Sequence, residues 1–191
     1  MQPFMRMVFG SPGAGKSTIA VRYAMQAIKQ GIRVYSNFPI AIPGVYEINV
    51  KDIGSFDLSN SLVLIDEAGL EYNSRDYARF PKQTLVYFKM HRHYRTSFYF
   101  FSQGWDDCDK NIRTLCTQYY NIKKIGVFSL LLEFRKRVGL DNETHQIVDD
   151  FYEISPWNGG IKIIYRPQYY KYFDSFKAEK LPERESKKWV E

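Results

Sequence analysis

Three stretches of the chain carry residue types whose order suits chemistry on a phosphate. The run Gly10-Ser11-Pro12-Gly13-Ala14-Gly15-Lys16-Ser17-Thr18 fits G-x-x-x-x-G-K-[ST], the signature of a phosphate-binding loop. Glycines at 10, 13 and 15 permit a tight turn and let a ligand approach the backbone with no Cβ in the way. Successive N–H groups then converge on an anion at a helix N-terminus. Lys16 is placed to reach the β- and γ-phosphates of a nucleoside triphosphate, and Ser17 to set its hydroxyl on Mg²⁺.

The second stretch is Ser61-Leu62-Val63-Leu64-Ile65-Asp66-Glu67-Ala68-Gly69. Its unbroken apolar run reads as a strand buried on both faces, as in a parallel sheet. Two acids follow at the strand's C-terminal edge, where open α/β sheets place ligands. Asp66 suits the support of a Mg²⁺ water shell, and Glu67 the activation of an attacking water as general base.

The third stretch, Thr96 to Gln103, is another apolar strand that ends in a polar residue before Gly104. Gln103 is either a sensor set against the γ-phosphate and the water or a simple turn residue. In the basic run His91 to Arg95, Arg92 or Arg95 could reach a phosphate or a neighbouring subunit, and Arg113 lies on a later helix. The basic run His91 to Arg95 equally suits a helix C-terminus through the macrodipole. His91 and His93 do not share a helix face, which argues against a metal pair.

These groups need a scaffold, and the flanking pattern supplies one. Residues 4–9 read as a strand, and residues 15–30 as a helix with Ile19, Val21, Tyr23, Ala24 and Ile28 near one face and Gly31 as C-cap. Arg33 to Asn37 and Val45 to Val50 read as strands, and Gln83 to Tyr94 and Asp109 to Thr117 as helices. From Tyr119 the pattern changes. Residues 119–124, 129–138, 146–154 and 161–165 read as strands of a hairpin-rich antiparallel section with turns at Gly126 and Gly139 to Asn142, and 167–176 as a short helix or turn. The organisation expected is a nucleotide-binding core over 1–120, a β-rich extension over 121–176 that completes the same domain, and a charged tail over 177–191. Between Glu71 and Lys82, cations Arg75, Arg79 and Lys82 alternate with Tyr72, Tyr77 and Phe80. That mixture suits either contact with single-stranded nucleic acid or an ordinary surface loop.

Composition agrees with a globular α/β protein. The chain has 191 residues, is 45% hydrophobic and 17% aromatic, and carries a net charge of +6. Two cysteines, Cys108 and Cys116, lack any metal-ligand or CxxC spacing and read as reduced, buried thiols. No apolar run reaches membrane-spanning length, and the N-terminus leaves no room for a signal peptide.

Taken in order, the phosphate loop, the strand before Asp66-Glu67, His91-Arg92-His93, the strand end at Gln103, Ile112-Arg113 and the late Tyr172-Phe173-Asp174-Ser175 resemble the zonular occludens toxin-like domain of filamentous-phage assembly ATPases. That family lies in the FtsK/HerA-like branch of P-loop NTPases. The resemblance implies a RecA-like parallel sheet sandwiched by helices. It also implies an ATPase that uses ATP and Mg²⁺ to drive virion assembly and export, either moving a single-stranded DNA genome or assembling virion subunits around it. It implies a ring-forming homo-oligomer with an arginine supplied by a neighbour (Arg92, Arg95 or Arg113). It implies phage assembly proteins as partners, and a place in the host cytoplasm at the face of the inner membrane. Many relatives continue into a membrane span that this chain does not show.

Four other readings compete with a filamentous-phage motor. A DNA-packaging ATPase of another virus shares the mechanism but not the coat partner. A nucleoside or small-molecule kinase would need an acceptor, and the Asp66-Glu67 pair favours water. A nucleotide-gated scaffold would tolerate loss of Glu67. A chance glycine-rich turn would lack the strand and helix that flank this one.

Overall fold

The computed structural model describes residues 2–68, 82–108, 110–140, 147–154 and 158–174. Among them a single nine-stranded sheet forms the centre of the molecule. In chain order the elements are β1 (Met5–Phe9), α1 (Lys16–Lys29), β2 (Arg33–Ser36), β3 (Val45–Glu47), β4 (Ser61–Ile65), α2 (Lys82–Met90), β5 (Ser97–Ser102), α3 (Lys110–Leu115), β6 (Gln118–Ile125), β7 (Phe128–Leu140), β8 (Ile147–Glu153) and β9 (Ile161–Tyr165). Short 3-10 helices cover Val50–Asp52 and Pro167–Tyr172.

Strand order across the sheet is β3-β2-β4-β5-β1-β6-β7-β8, with β9 also paired to β7. Pairings from β3 through β6 are parallel, and those from β6 onward are antiparallel. The strand before the phosphate loop is therefore separated from the strand before the acids by β5. All three end at the same edge: β1 in the loop, β4 in Asp66-Glu67 and β5 in Gln103. The late β-rich residues join this one sheet through β6, which pairs with β1 on one side and β7 on the other.

Every residue of β4 and β5 is buried, because helices or loops cover both sheet faces. On one face Ile19, Ala20, Ala24 and Ala27 of α1 pack on Val8, Leu62, Leu64, Tyr99 and Phe101. The alanines let the helix lie close to the sheet. On the other face Tyr87 and Phe88 of α2 and Ile112 of α3 pack on Met7, Val63, Ile65, Phe98 and Phe100. Phe88 meets Phe98 and Phe100 edge-on, with centroids 5.0 and 5.4 Å apart. Cys108 and Cys116 are buried and unbridged in this second core. Burial pushes the Cys116 thiol well up from its usual value.

Gly31 ends α1 in a left-handed turn at φ 72°. Its N–H reaches Ile28 O at 2.9 Å and the next N–H, from Ile32, reaches Ala27 O at 3.0 Å, so two carbonyls of the last turn are satisfied.

Several expected boundaries move. The helix expected over 83–94 ends at Met90, and His91, Arg92 and His93 lie in turns beyond it. The chain reverses there because Arg95 takes φ 52° and the Thr96 N–H returns to His91 O at 2.9 Å. That geometry leads directly into β5; the basic run lies just past the helix C-terminus, where His91 Nδ1 is 2.7 Å from Phe88 O in the last turn. The strand expected over 45–50 stops at Glu47, where Val50 turns inward into a 3-10 helix capped by the Asn49 side chain. The helix expected over 109–117 is limited to Lys110–Leu115 among the described residues. The aromatic and basic stretch at 71–81, Ser175 and the tail over 177–191 lie outside the described residues.

Candidate nucleotide-binding site

The phosphate-loop residues sit where β1 hands over to α1. Gly10 takes a hydrogen bond position beside β5, its N–H donating to Ser102 O at 3.3 Å. The loop then closes on itself, with Ala14 N–H donating to Ser11 O at 3.1 Å. Gly15 is the N-cap of α1 in a left-handed conformation, and no side chain caps the helix. The first turn of α1 carries no acid. Its free N–H groups and the positive end of the helix dipole are thus open to an anion. Lys16 is buried, and its Nζ donates to Gly10 O at 2.9 Å and Ser11 O at 3.5 Å, which folds the ammonium back over the loop.

The glycines serve the fold more than the sequence reading allows. A Cβ at Gly10 would lie 2.7 Å from the backbone oxygen of Ile122 in β6. One at Gly15 would lie 2.3 Å from Ser129 Oγ in β7, and Gly15 sits at φ 110°. Only Gly13, at φ 72°, has open space where its Cβ would be. Close approach of a ligand is therefore not the sole reason for these glycines: neighbouring strands press against two of them.

Asp66 is clamped through its backbone. Its N–H donates to Asn37 Oδ1 at 2.7 Å, and Asn37 Nδ2 donates to Asp66 O at 3.0 Å. Asn37 thus ties the end of β2 to the end of β4. Burial pushes the Asp66 carboxyl up to about 6, partly offset by the Glu67 N–H that its Oδ1 accepts at 3.0 Å and by the Lys16 charge. Glu67 adopts φ 48°, a left-handed conformation seldom taken by a non-glycine residue. That turn swings its carboxylate onto Gln103, whose Nε2 donates to both carboxylate oxygens at 3.2 Å.

These groups share one cavity of about 800 Å³. Gly13, Lys16, Ser17, Asp66, Glu67 and Gln103 all line it, together with Pro12, Gly15 and Thr18. Its size suits a nucleotide. The chemistry of the lining also fits a nucleoside triphosphate and Mg²⁺. A buried ammonium and an uncapped helix N-terminus favour polyphosphate. A desolvated carboxyl in the same cavity as Ser17 favours a divalent cation, which would relieve the cost of ionising Asp66. The described residues hold no group of three or more His, Cys, Asp or Glu that could hold a metal by themselves.

Arg92 and Arg113 do not join the cavity. Arg92 is exposed in the turns that precede β5, at the opposite sheet edge from the phosphate loop. Arg95 shares that edge, against Ile32, Asn60 and Ser61. Arg113 donates from Nη1 to Asp106 at 2.8 Å and lies over Trp105, 5.3 Å from the ring centroid. Within one chain none of these arginines lines the cavity that Lys16 does.

Other residues enter the site without a sequence signal. Arg166, just beyond β9, lines the cavity with Lys124, Tyr170 and Phe173. Ser129 presses on Gly15 from β7. No motif announces them, because their position depends on the antiparallel register of β7 against β6 and of β9 against β7. Asn37 had a readable cue in its place at the end of β2, next to the strand that bears the acids.

A family model described as zonular occludens toxin (Zot) matches residues 46–179. The N-terminal domain of zonular occludens toxin from Neisseria meningitidis superposes with a TM-score of 0.62 at 20% identity, covering 91% of this chain and 100% of that one. The genome packaging NTPase of Sulfolobus turreted icosahedral virus 2, in complex with ATP-gammaS, superposes with a TM-score of 0.52 at 9% identity, covering 78% and 97%. The DNA-packaging ATPase from Sulfolobus turreted icosahedral virus gives 0.52 at 12% identity, covering 78% and 98%. No curated protein matches the sequence. At such identities these likenesses establish the fold alone, the α/β fold shared by RecA-like P-loop NTPases.

Proposed function

The chain belongs to the zonular occludens toxin (Zot) family, and from that premise we propose that it is an ATPase that powers filamentous-phage virion assembly and export. ATP and Mg²⁺ are the ligands of the cavity, and single-stranded DNA or virion subunits are the cargo. The observation that carries the reading is the meeting of Lys16, Asp66, Glu67 and Gln103 in one cavity at the strand ends. A kinase would need an acceptor hydroxyl. Here the carboxylate of Glu67 is aimed by Gln103 and is available to water.

Each residue has a defined task in this reading. The loop from Gly10 to Thr18 binds the phosphates through backbone N–H groups, and Lys16 turns from its carbonyl partners to them. Ser17 and Asp66 would hold Mg²⁺, which when bound neutralises charge on the β- and γ-phosphates. Glu67 accepts the proton of the attacking water, and Gln103 keeps the carboxylate oriented and senses whether the γ-phosphate is present.

Among the described residues Arg166 is the arginine that lines the cavity, and its Nη groups are engaged by backbone. Arg92, Arg95 or Arg113 from a neighbouring subunit of a ring is the proposed transition-state donor, worth ~10³–10⁵ in rate where such arginines operate. Among the described residues no helix is long and apolar enough to cross a membrane. The proposed site of action is the cytoplasmic face of the host inner membrane, beside phage assembly proteins.

The test is ATP hydrolysis measured against protein concentration, with and without single-stranded DNA, for wild type and Glu67→Gln. A rate per subunit that rises with concentration and is lost in the variant supports a ring with a shared site. A further rise with DNA supports translocation. Tight ATP binding with no hydrolysis at any concentration overturns the motor and leaves a nucleotide-gated scaffold.

A further inference from the structure

The antiparallel end of the sheet grips the phosphate loop at two consecutive peptides. Arg166 is only 7% exposed. Its Nη1 donates to Gly13 O at 3.1 Å, and its Nη2 donates to Gly126 O in the turn between β6 and β7. Its own backbone N–H donates to Val127 O at 3.0 Å, which pins the residue to that turn. Ser129, fully buried in β7, donates from Oγ to Ala14 O at 2.6 Å. The fit is tight enough that a Cβ on Gly15 would meet both residues, Ser129 Oγ at 2.3 Å and Arg166 Cδ at 3.0 Å.

The consequence follows from peptide geometry. In a planar trans peptide the C=O and N–H point opposite ways. With Gly13 O turned onto Arg166 and Ala14 O onto Ser129, the N–H groups of Ala14 and Gly15 face the hollow of the loop. There the Ala14 N–H meets Ser11 O at 3.1 Å. Without the grip these two peptides could flip, because Gly13 and Gly15 flank them and glycine tolerates either orientation.

We infer that Arg166 and Ser129 are positioning residues for nucleotide binding, holding the Gly13 and Ala14 peptides so that the loop presents its N–H groups to phosphate. This rests on the nucleotide-binding reading above. Both residues act through the loop backbone. The antiparallel section is thereby part of the binding site, and a displacement of β7 or β9 would change affinity for the phosphates.

The experiment measures the Kd of Mg-ATP and of Mg-tripolyphosphate by calorimetry, with kcat and KM alongside, for wild type, Arg166→Ala, Arg166→Lys and Ser129→Ala. Amide resonances of Ala14 and Gly15 are recorded without nucleotide. Arg166→Ala is expected to weaken both ligands by the same factor, ~10–100-fold, because the effect lies in the phosphate half of the site. KM rises with it while kcat at saturation falls far less. Arg166→Lys recovers only part, since an ammonium cannot fork between two carbonyls. Ser129→Ala weakens binding several-fold and shifts the Gly15 amide. Folded variants with wild-type Kd for both ligands and unmoved amides overturn the inference alone. Equal loss of kcat at unchanged KM also overturns it. If Arg166→Ala does not fold, Arg166→Lys and Ser129→Ala decide. Wild type that binds neither ligand overturns the nucleotide reading itself.

Discussion

The Gln103 side-chain amide donates to both carboxylate oxygens of Glu67 at 3.2 Å, joining the end of β5 to the end of β4. The contact depends on the positive φ of Glu67, which turns its side chain across the strand ends. An acid held symmetrically by one amide keeps a fixed direction while it stays free to accept a proton. On the proposed function, Glu67→Gln lowers ATP hydrolysis by ~10²–10⁴ and leaves ATP binding intact. Gln103→Ala leaves the base in place, loses its orientation and the γ-phosphate contact, and costs about tenfold in kcat. Steady-state rates paired with calorimetric Kd values check both.

The Lys16 ammonium donates to two loop carbonyls of its own chain. Lys16→Ala should therefore shift the melting temperature of the nucleotide-free protein by a few degrees at most. The stabilisation that Mg-ATP confers on wild type, ~2.7 kcal/mol at a hundredfold excess over Kd, should disappear. Thermal shift with and without Mg-ATP reads both. A variant still stabilised by Mg-ATP would remove Lys16 from the site.

The Asp66 carboxyl titrates at about 6 in the folded chain because burial disfavours its charge. In the unfolded chain it titrates at ~4. The folded state thus holds the extra proton between these values, so this group's contribution to stability declines as pH rises from ~4 to ~6 and is constant above. The decline is on the order of 2–3 kcal/mol. Asp66→Asn should flatten that part of the profile and stabilise the Mg²⁺-free protein at neutral pH. Urea unfolding across pH 4 to 8 in the presence of a chelator measures it, and an unchanged slope in Asp66→Asn would contradict the assignment.

The three loop glycines should rank by what surrounds them. Gly10→Ala and Gly15→Ala force a Cβ against Ile122 O and Ser129 Oγ, and Gly15 adds backbone strain. Each should cost about 2 kcal/mol or more, with Gly10 the less forgiving because a backbone oxygen cannot rotate away. Gly13→Ala meets only the cost of positive φ, ~1 kcal/mol, and should bind nucleotide poorly before it unfolds readily. Chemical denaturation of the three variants without nucleotide gives the order.

The chain shows where local pattern suffices. Strand, loop and helix at residues 4–30, the buried strand before Asp66, and the strand before Gln103 all form where apolar runs and punctuation place them. Their signals are contiguous, so neighbouring residues carry them. Element ends were harder to read. The helix at 82–90 was expected to run on to Tyr94, because residues 91–94 are compatible with helix. The turn that stops it is set by Arg95 and by the return of Thr96 to His91 on the way into β5.

Contiguous signals in the chain place Lys16 and Ser17 at the start of the helix that follows β1 and its glycine loop, and Asp66 and Glu67 just after a buried apolar run. Tertiary structure alone decided that they share a cavity with Gln103, because β5 inserts between β4 and β1 and brings three separate strand ends to one edge. It also decided that Asn37 clamps Asp66, and that Arg166 and Ser129 close on the loop from the antiparallel part of the sheet. Arg166 and Gly13 are 153 residues apart. A contact of that range is set by the register of paired strands, and a one-residue slip in β7 or β9 would turn its side chains to the opposite face.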